Sequence, residues 1–247
     1  MVIGAQLYTV RDFTKNLNDF SETLKKISDM GYKAVQISCT CPFEPEWLKN
    51  ELSKNGLVAP IRHYSFDDIT KYTDKIVPED LSYGCTQIGL GYYTFKEWSY
   101  EAFEEKVVPL AKRIKELGGK FAYHNHDSEF MERDGKIIFD RILELLPPEL
   151  MDSILDVYWV QRGGGDPIYW LHKLEGRTRS IHLKDMKYEQ KMAVVGDGNM
   201  NFDGILKAAC DTNVKYAFVE QDDCYGENPF DCLEKSLAYL RSRGLNE

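Results

Sequence analysis

Short apolar runs of strand length alternate with amphipathic stretches along the whole chain. The runs cover residues 2–10, 34–38, 57–63, 86–91, 121–126, 151–160, 179–185 and 216–222. Between them apolar residues recur at helical spacing, as at Leu17, Phe20, Leu24 and Ile27 before a closing Gly31. A second helix runs from Pro45 through Trp47, Leu48 and Leu52 to Gly56, and a short one is expected at about 66–76. A longer one covers about 97–117, with Pro109 as a kink or a restart. Ile138, Ile142, Leu143 and Leu146 make the next, ended by Pro147-Pro148. Asp166-Pro167 and Asn228-Pro229 read as N-cap and first-turn pairs, and another helix spans 202–212.

Eight strands alternating with eight helical segments imply parallel strands joined by right-handed crossovers. Eight such units in 247 residues favour a closed (β/α)8 TIM barrel, one domain over 1–247, above an open doubly wound sheet. No Gly-x-Gly-x-x-Gly follows the first strand, and Gly163-Gly164-Gly165 lacks the Lys-Ser/Thr of a P-loop, so no nucleotide cradle is expected.

Composition narrows the partners. The formal net charge is −9 and the sequence pI about 5.2, which argues against nucleic acid or an anionic membrane. The chain's start lacks a basic segment followed by a long apolar one, and no apolar run is long enough to span a bilayer. Six cysteines without a Cys-x-x-Cys pair read as thiols in a reducing cytoplasm.

In a parallel barrel the C-terminal strand ends line one mouth, where function gathers. The polar residues at those ends are Tyr8, Arg11, His63, His124, His126, Asp156, His182, Lys184, Asp185, Glu220 and Asp222. Strand alternation puts His124 and His126 on one face above Ala122, and pairs His182 with Lys184 and Glu220 with Asp222. Imidazole and carboxylate together suit a borderline divalent ion. Each residue alone has a plainer reading. His182 fits a buried imidazole bonded to a carbonyl, Glu220 an ion pair with Lys184 or Arg179, and Asp156 a helix cap. Lys184 fits a solvated charge, and Tyr8 and Trp159 fit rim packing. Coincidence of the strand positions, not any single residue, carries the constellation.

At these residues the chain resembles the xylose isomerase-like superfamily of TIM barrels. That group includes sugar and sugar-phosphate isomerases and epimerases, inosose dehydratases and the endonuclease IV group. The resemblance lies in Gln-Leu-Tyr-Thr-Val-Arg-Asp (6–12), Tyr-His-Asn-His-Asp-Ser-Glu-Phe (123–130), Leu-Asp-Val-Tyr-Trp (155–159), Ser-Ile-His-Leu-Lys-Asp (180–185), Gly-Asp-Gly-Asn-Met-Asn-Phe (196–202) and Val-Glu-Gln-Asp (219–222). The ketose epimerases of the superfamily hold one divalent metal with Glu, Asp, His and Glu from the fifth to eighth strands. By position the resemblance implies Asp156, His182 and Glu220 as ligands. His124 stands where those enzymes have Glu, with Glu129 as an alternative that would have to swing in. Trp159 stands where they often place a substrate-binding His.

The resemblance further implies one Mn²⁺, Co²⁺, Zn²⁺ or Mg²⁺ ion, a small carbohydrate substrate and proton removal beside a ketone through an enediolate. His126 or Glu220 would be the base, with Lys184 facing an oxyanion or an acidic substituent. Tyr8, His63, Trp159 and Asp185 would contact substrate. Isomerisation or epimerisation is put first. Dehydration or lysis of an inosose or 3-keto-glycoside comes second, favoured by His at 124. A non-catalytic sugar-binding barrel comes third, its sign being a mouth blocked by Trp159 or Tyr92. A DNA-repair endonuclease is the weakest, since five His fall short of its multi-metal cluster. A homo-oligomer is left open.

Overall fold

The apolar runs become strands in the computed structural model, which describes residues 1–93 and 99–245. The eight strands are Val2–Gln6, Ala34–Ile37, Val58–Tyr64, Gln87–Leu90, Lys120–His124, Met151–Asp156, Thr178–Leu183 and Tyr216–Val219. Every neighbouring pair is parallel, and the first strand pairs with both the second and the eighth, closing the expected (β/α)8 barrel. Two small hairpins are added. One pairs Glu132–Arg133 with Lys136–Ile137 after the fifth strand; the other pairs Asp185–Lys187 with Lys191–Ala193 after the seventh.

Alternation along the strands sorts side chains into two cores. Outward residues such as Val35, Phe121, Leu155, Ile181 and Val219 pack with the helices. Ala34, Ile61, Ala122, Ile154 and Phe218 form a separate buried cluster inside the barrel. Two residues further along the same strands, on the same face, stand Gln36, His63, His124, Asp156 and Glu220. An apolar plug therefore underlies a polar layer. Glycines shape both layers. A Cβ on Gly4 would lie 2.6 Å from the Phe218 ring, and one on Gly89 would lie 2.7 Å from His63 Cδ2.

Seven of the eight strands stop earlier than their apolar runs, the first and the sixth by the most, four residues each. The first ends at Gln6, whose Oε1 accepts the Tyr8 N–H at 2.8 Å and opens a 3-10 helix, Leu7–Phe13. The sixth ends at Asp156, whose Oδ1 accepts the N–H groups of Tyr158 (3.0 Å) and Trp159 (3.1 Å) and caps the helix Val157–Arg162. A continuous apolar run does not separate strand from buried helix; the polar cap inside it decides. The 66–76 segment is two helices, Phe66–Lys71 and Thr73–Ser82. The helix Tyr100–Glu116 continues through Pro109, and the start expected at 97 lies outside the described residues. Asp166 and Asn228 cap their helices with Pro at the next position, as expected. Among the described residues no helix is long and apolar enough to cross a membrane.

Glu129 does not swing into the barrel. It sits in the 3-10 turn Ser128–Phe130, buried, accepting hydrogen bonds from Tyr123 Oη (2.8 Å) and Ser128 Oγ (2.7 Å). Tyr123 belongs to the outer core, so this carboxyl group lies behind the wall. Burial pushes its pKa up to about 7.

Two outcomes are expected. Phe218→Ala should lower unfolding free energy by about 3–5 kcal/mol, read from the urea midpoint, because the plug leaves a rigid void. Glu129 holds its proton in the folded chain over a pH range where the unfolded chain has lost it, so its contribution falls as pH rises from about 4.5 to about 7. Relative to wild type, Glu129→Gln should therefore gain up to ~3 kcal/mol between pH 4.5 and pH 8 in paired urea titrations. A pH-independent difference would contradict this placement.

Candidate active site

The polar layer forms the floor of a cavity of about 340 Å³ at the C-terminal mouth. Tyr8, His63, His124, His126, Trp159, Lys184, Glu220 and Asp222, all singled out from sequence, line it. Asp156 and His182 lie fully buried beside them. One ligand atom from each of His124, Asp156, His182 and Glu220 falls within 4.8 Å of all the others. Trp159 and Tyr92 form part of the cavity wall.

The strand ends are tied together locally. Asn125, fully buried, accepts the Asp156 N–H through Oδ1 (3.0 Å) and donates Nδ2–H to the Asp156 carbonyl (3.3 Å), mimicking one more rung of strand pairing. Asp156 then divides its two oxygens. Oδ1 caps the following helix, while Oδ2 lies 3.4 Å from His124 Nε2, 3.5 Å from His182 Nδ1 and 3.1 Å from Lys184 Nζ. The capping role and the site role are therefore both filled.

The histidine tautomers follow from their outer partners. His124 Nδ1 lies 3.0 Å from the Gly91 carbonyl, which only accepts, so Nδ1 carries the proton and a neutral ring turns the Nε2 lone pair toward Asp156. His182 Nε2 lies 2.7 Å from Gln36 Oε1, leaving Nδ1 to face Asp156 and Glu220. His182 Nδ1 and Glu220 Oε2 are 2.9 Å apart, yet neither has an aligned hydrogen-bond partner. An outward N–H held by a carbonyl or amide with an inward lone pair is the usual arrangement of a metal-binding imidazole. The donor set of two imidazoles and two carboxylates fits a borderline divalent cation.

Without such an ion the charges are balanced by cations of the chain. Lys184, 1% exposed, places Nζ 3.1 Å from Asp156, 3.0 Å from Glu220 and 2.9 Å from Asp222. Burial disfavours its charge, but the three carboxylates outweigh that and hold its pKa well above the ordinary lysine value. Burial likewise opposes a charged His182, and Glu220 and Asp156 overcome it, pushing it up to about 9. Asp156 is held well below its usual range, burial being outweighed first by Lys184. His63 and His126 go the other way: burial, then the His124 ring, holds both below the usual imidazole value. Among the described residues, the buried atoms His126 Nδ1, His63 Nε2 and Trp159 Nε1 have no hydrogen-bond partner. The His126 ring is packed 5.1 Å from that of Trp159 and 5.0 Å from that of Tyr92.

Asp185 is a correction. It does not line the cavity; its carboxylate is engaged by the backbone N–H groups of Met186, Gly196, Gly198 and Met200. Gln36, Asn125, Ser38 and Tyr64 are site residues that strand-end reasoning missed. Gln36 and Asn125 carry a readable signal, a polar amide inside an apolar run, since a buried amide needs a specific partner.

No protein-family model matches the chain. An inosose dehydratase of Clostridium perfringens is 26% identical over 178 residues, 64% of this chain and 59% of that protein. This chain thus spans less than two thirds of that relative's length. An inosose dehydratase of Clostridium beijerinckii is 25% identical over 271 residues, covering 92% of this chain and 90% of its own. The crystal structure of a sugar phosphate isomerase/epimerase from Parabacteroides distasonis superposes with a TM-score of 0.82 at 23% identity, covering 99% of this chain and 95% of that one. With the closed barrel, these likenesses show the fold, a (β/α)8 barrel like that of the sugar phosphate isomerase/epimerase structure.

Proposed function

We propose that the chain is an enzyme that removes a proton from the carbon beside a ketone in a small carbohydrate or cyclitol, and that water is then lost from the next carbon. The observation that carries this reading is the inward convergence of His124, Asp156, His182 and Glu220 at the cavity floor. These four would hold one divalent ion, which would supply Lewis-acid charge for a substrate carbonyl oxygen. The identity of that ion is left to experiment.

The chain's own groups divide the remaining work. His126, which lines the cavity, takes the α-proton on its imidazole. The same imidazolium returns that proton to the departing β-hydroxyl, which leaves as water. The C–H and C–O bonds broken yield a conjugated enone, and His126 ends neutral, as it began. Lys184, fixed by three carboxylates, contributes its positive charge at the cavity wall and holds Asp156, Glu220 and Asp222 in place. Trp159 offers an apolar face, with Tyr8 and His63 as hydroxyl partners.

Two observations move elimination ahead of epimerisation, which sequence alone put first. Glu129 is engaged behind the wall, so among the described residues no second glutamate lines the cavity opposite Glu220. The curated relatives are named inosose dehydratases. Isomerisation or epimerisation stays as the second reading, because Glu220 and His126 reach the same cavity from the eighth and fifth strands and offer proton transfer on two sides.

Metal-loaded protein incubated in D₂O with ketoses, inososes and 3-keto-glycosides is expected to yield an absorbing enone. Deuterated substrate without enone would instead assign isomerisation, and no change in any compound would leave only a binding role. His126→Ala should slow the reaction by about 10²- to 10⁴-fold. Binding of the ion is read separately, by melting. Mn²⁺, Co²⁺ or Zn²⁺ at 100 Kd should stabilise wild type by about 2.7 kcal/mol, ~5–10 °C, and His182→Ala should abolish the shift.

A further inference from the structure

The four residues that converge at the cavity floor already have a cation among them. Lys184 Nζ stands 3.1 Å from Asp156 Oδ2 and 3.0 Å from Glu220 Oε2, the same two oxygens that His182 Nδ1 faces. Asp156 is left with that oxygen, because its Oδ1 accepts the N–H groups of Tyr158 and Trp159. A divalent ion held by the set would therefore share its carboxylate oxygens with the ammonium. Two cations drawn to the same buried oxygens repel each other.

The three carboxylate contacts of Lys184 are not alike. Among the described residues its one aligned hydrogen bond goes to Asp222 Oδ1, at 2.9 Å. Glu220 Oε2 has no aligned hydrogen-bond partner despite the short distance, and neither has His182 Nδ1. Asp222 is also the member nearest solvent: its side chain is 24% exposed, against 5% for Glu220 and none for Asp156. The Trp159 ring centroid lies 5.3 Å from Nζ, near enough to favour a cation over its face. Asp222 and Trp159 both line the cavity, so they offer the ammonium support on the mouth side. Among the described residues no other ammonium or guanidinium lines the cavity.

We propose that Lys184 is a displaceable counter-cation that sets the metal affinity of the site. In the ion-free chain it neutralises Asp156 and Glu220. When a divalent ion binds it gives up both and stays on Asp222. The barrel thus folds without an ion, and binds one more weakly than its four ligands would without the lysine. This rests on the ion-binding part of the reading above and deepens it. A lysine that only fixed the two carboxylates would act in the opposite sense, since removing it would loosen the ligands and weaken binding.

The test titrates Mn²⁺ by calorimetry into chelator-stripped wild type and Lys184→Met at one pH. The variant should bind at least ~10-fold more tightly. It should also melt below wild type when ion-free, and gain more from Mn²⁺ than wild type does. Equal or weaker binding by a folded Lys184→Met protein overturns the inference and leaves the ion site standing. Binding by the variant and none by wild type supports the inference and removes the ion from the wild-type reaction. No binding to either overturns both. If the variant does not fold, Mn²⁺-soaked crystals of wild type decide. With the ion bound, Nζ should lie beyond ion-pair range, ~4 Å, of both Asp156 Oδ2 and Glu220 Oε2 and remain on Asp222. An unmoved Nζ, or no ion at the site, overturns the inference.

Discussion

Asp156 has no access to solvent, and a carboxylate in that position persists only if every lone pair it presents is answered. Its backbone is held by Asn125, one oxygen by two helix N–H groups, and the other by Lys184 with two imidazoles close by. Much of the site follows from that requirement. The strand must end where the helix begins, so that N–H groups point back at Oδ1. Lys184 must reach the barrel axis as a cation, which brings Glu220 and Asp222 with it. The imidazoles must present nitrogen rather than carbon to the same oxygen, which Gly91 and Gln36 enforce from outside. Removing one charge from this set leaves the others buried and unbalanced, a larger penalty than the pair interaction itself.

The set is held in place by the plug beneath it. Each inward apolar residue fixes the face of the polar residue two positions on, as Ala122 does for His124, Ile154 for Asp156 and Phe218 for Glu220. A one-residue slip would send every ligand group to the helical shell. Site geometry and core packing are therefore one constraint.

This is also why so much was legible in the chain. The eight apolar runs gave the strand count, and their polar ends gave His124, His126, Asp156, His182, Lys184 and Glu220, because period-two alternation and the barrel's polarity are properties of sequence order. Strand ends were less legible. The stops at Gln6 and Asp156 depend on a side chain folding back onto N–H groups two or three residues on, and an apolar run hides that. Asp185 looked like its neighbours at a strand end; only the return of the chain at 196–200 shows that backbone amides had claimed it. Gln36 was passed over because its importance lies in a partner 146 positions away.

Phe218 and its neighbours leave the barrel axis filled below the polar layer. The pocket is thus a cul-de-sac, so in the reaction proposed above reactant and product would share one doorway. Nothing new could then enter until the old occupant had left, and the product would compete, by shape alone, with its own starting material.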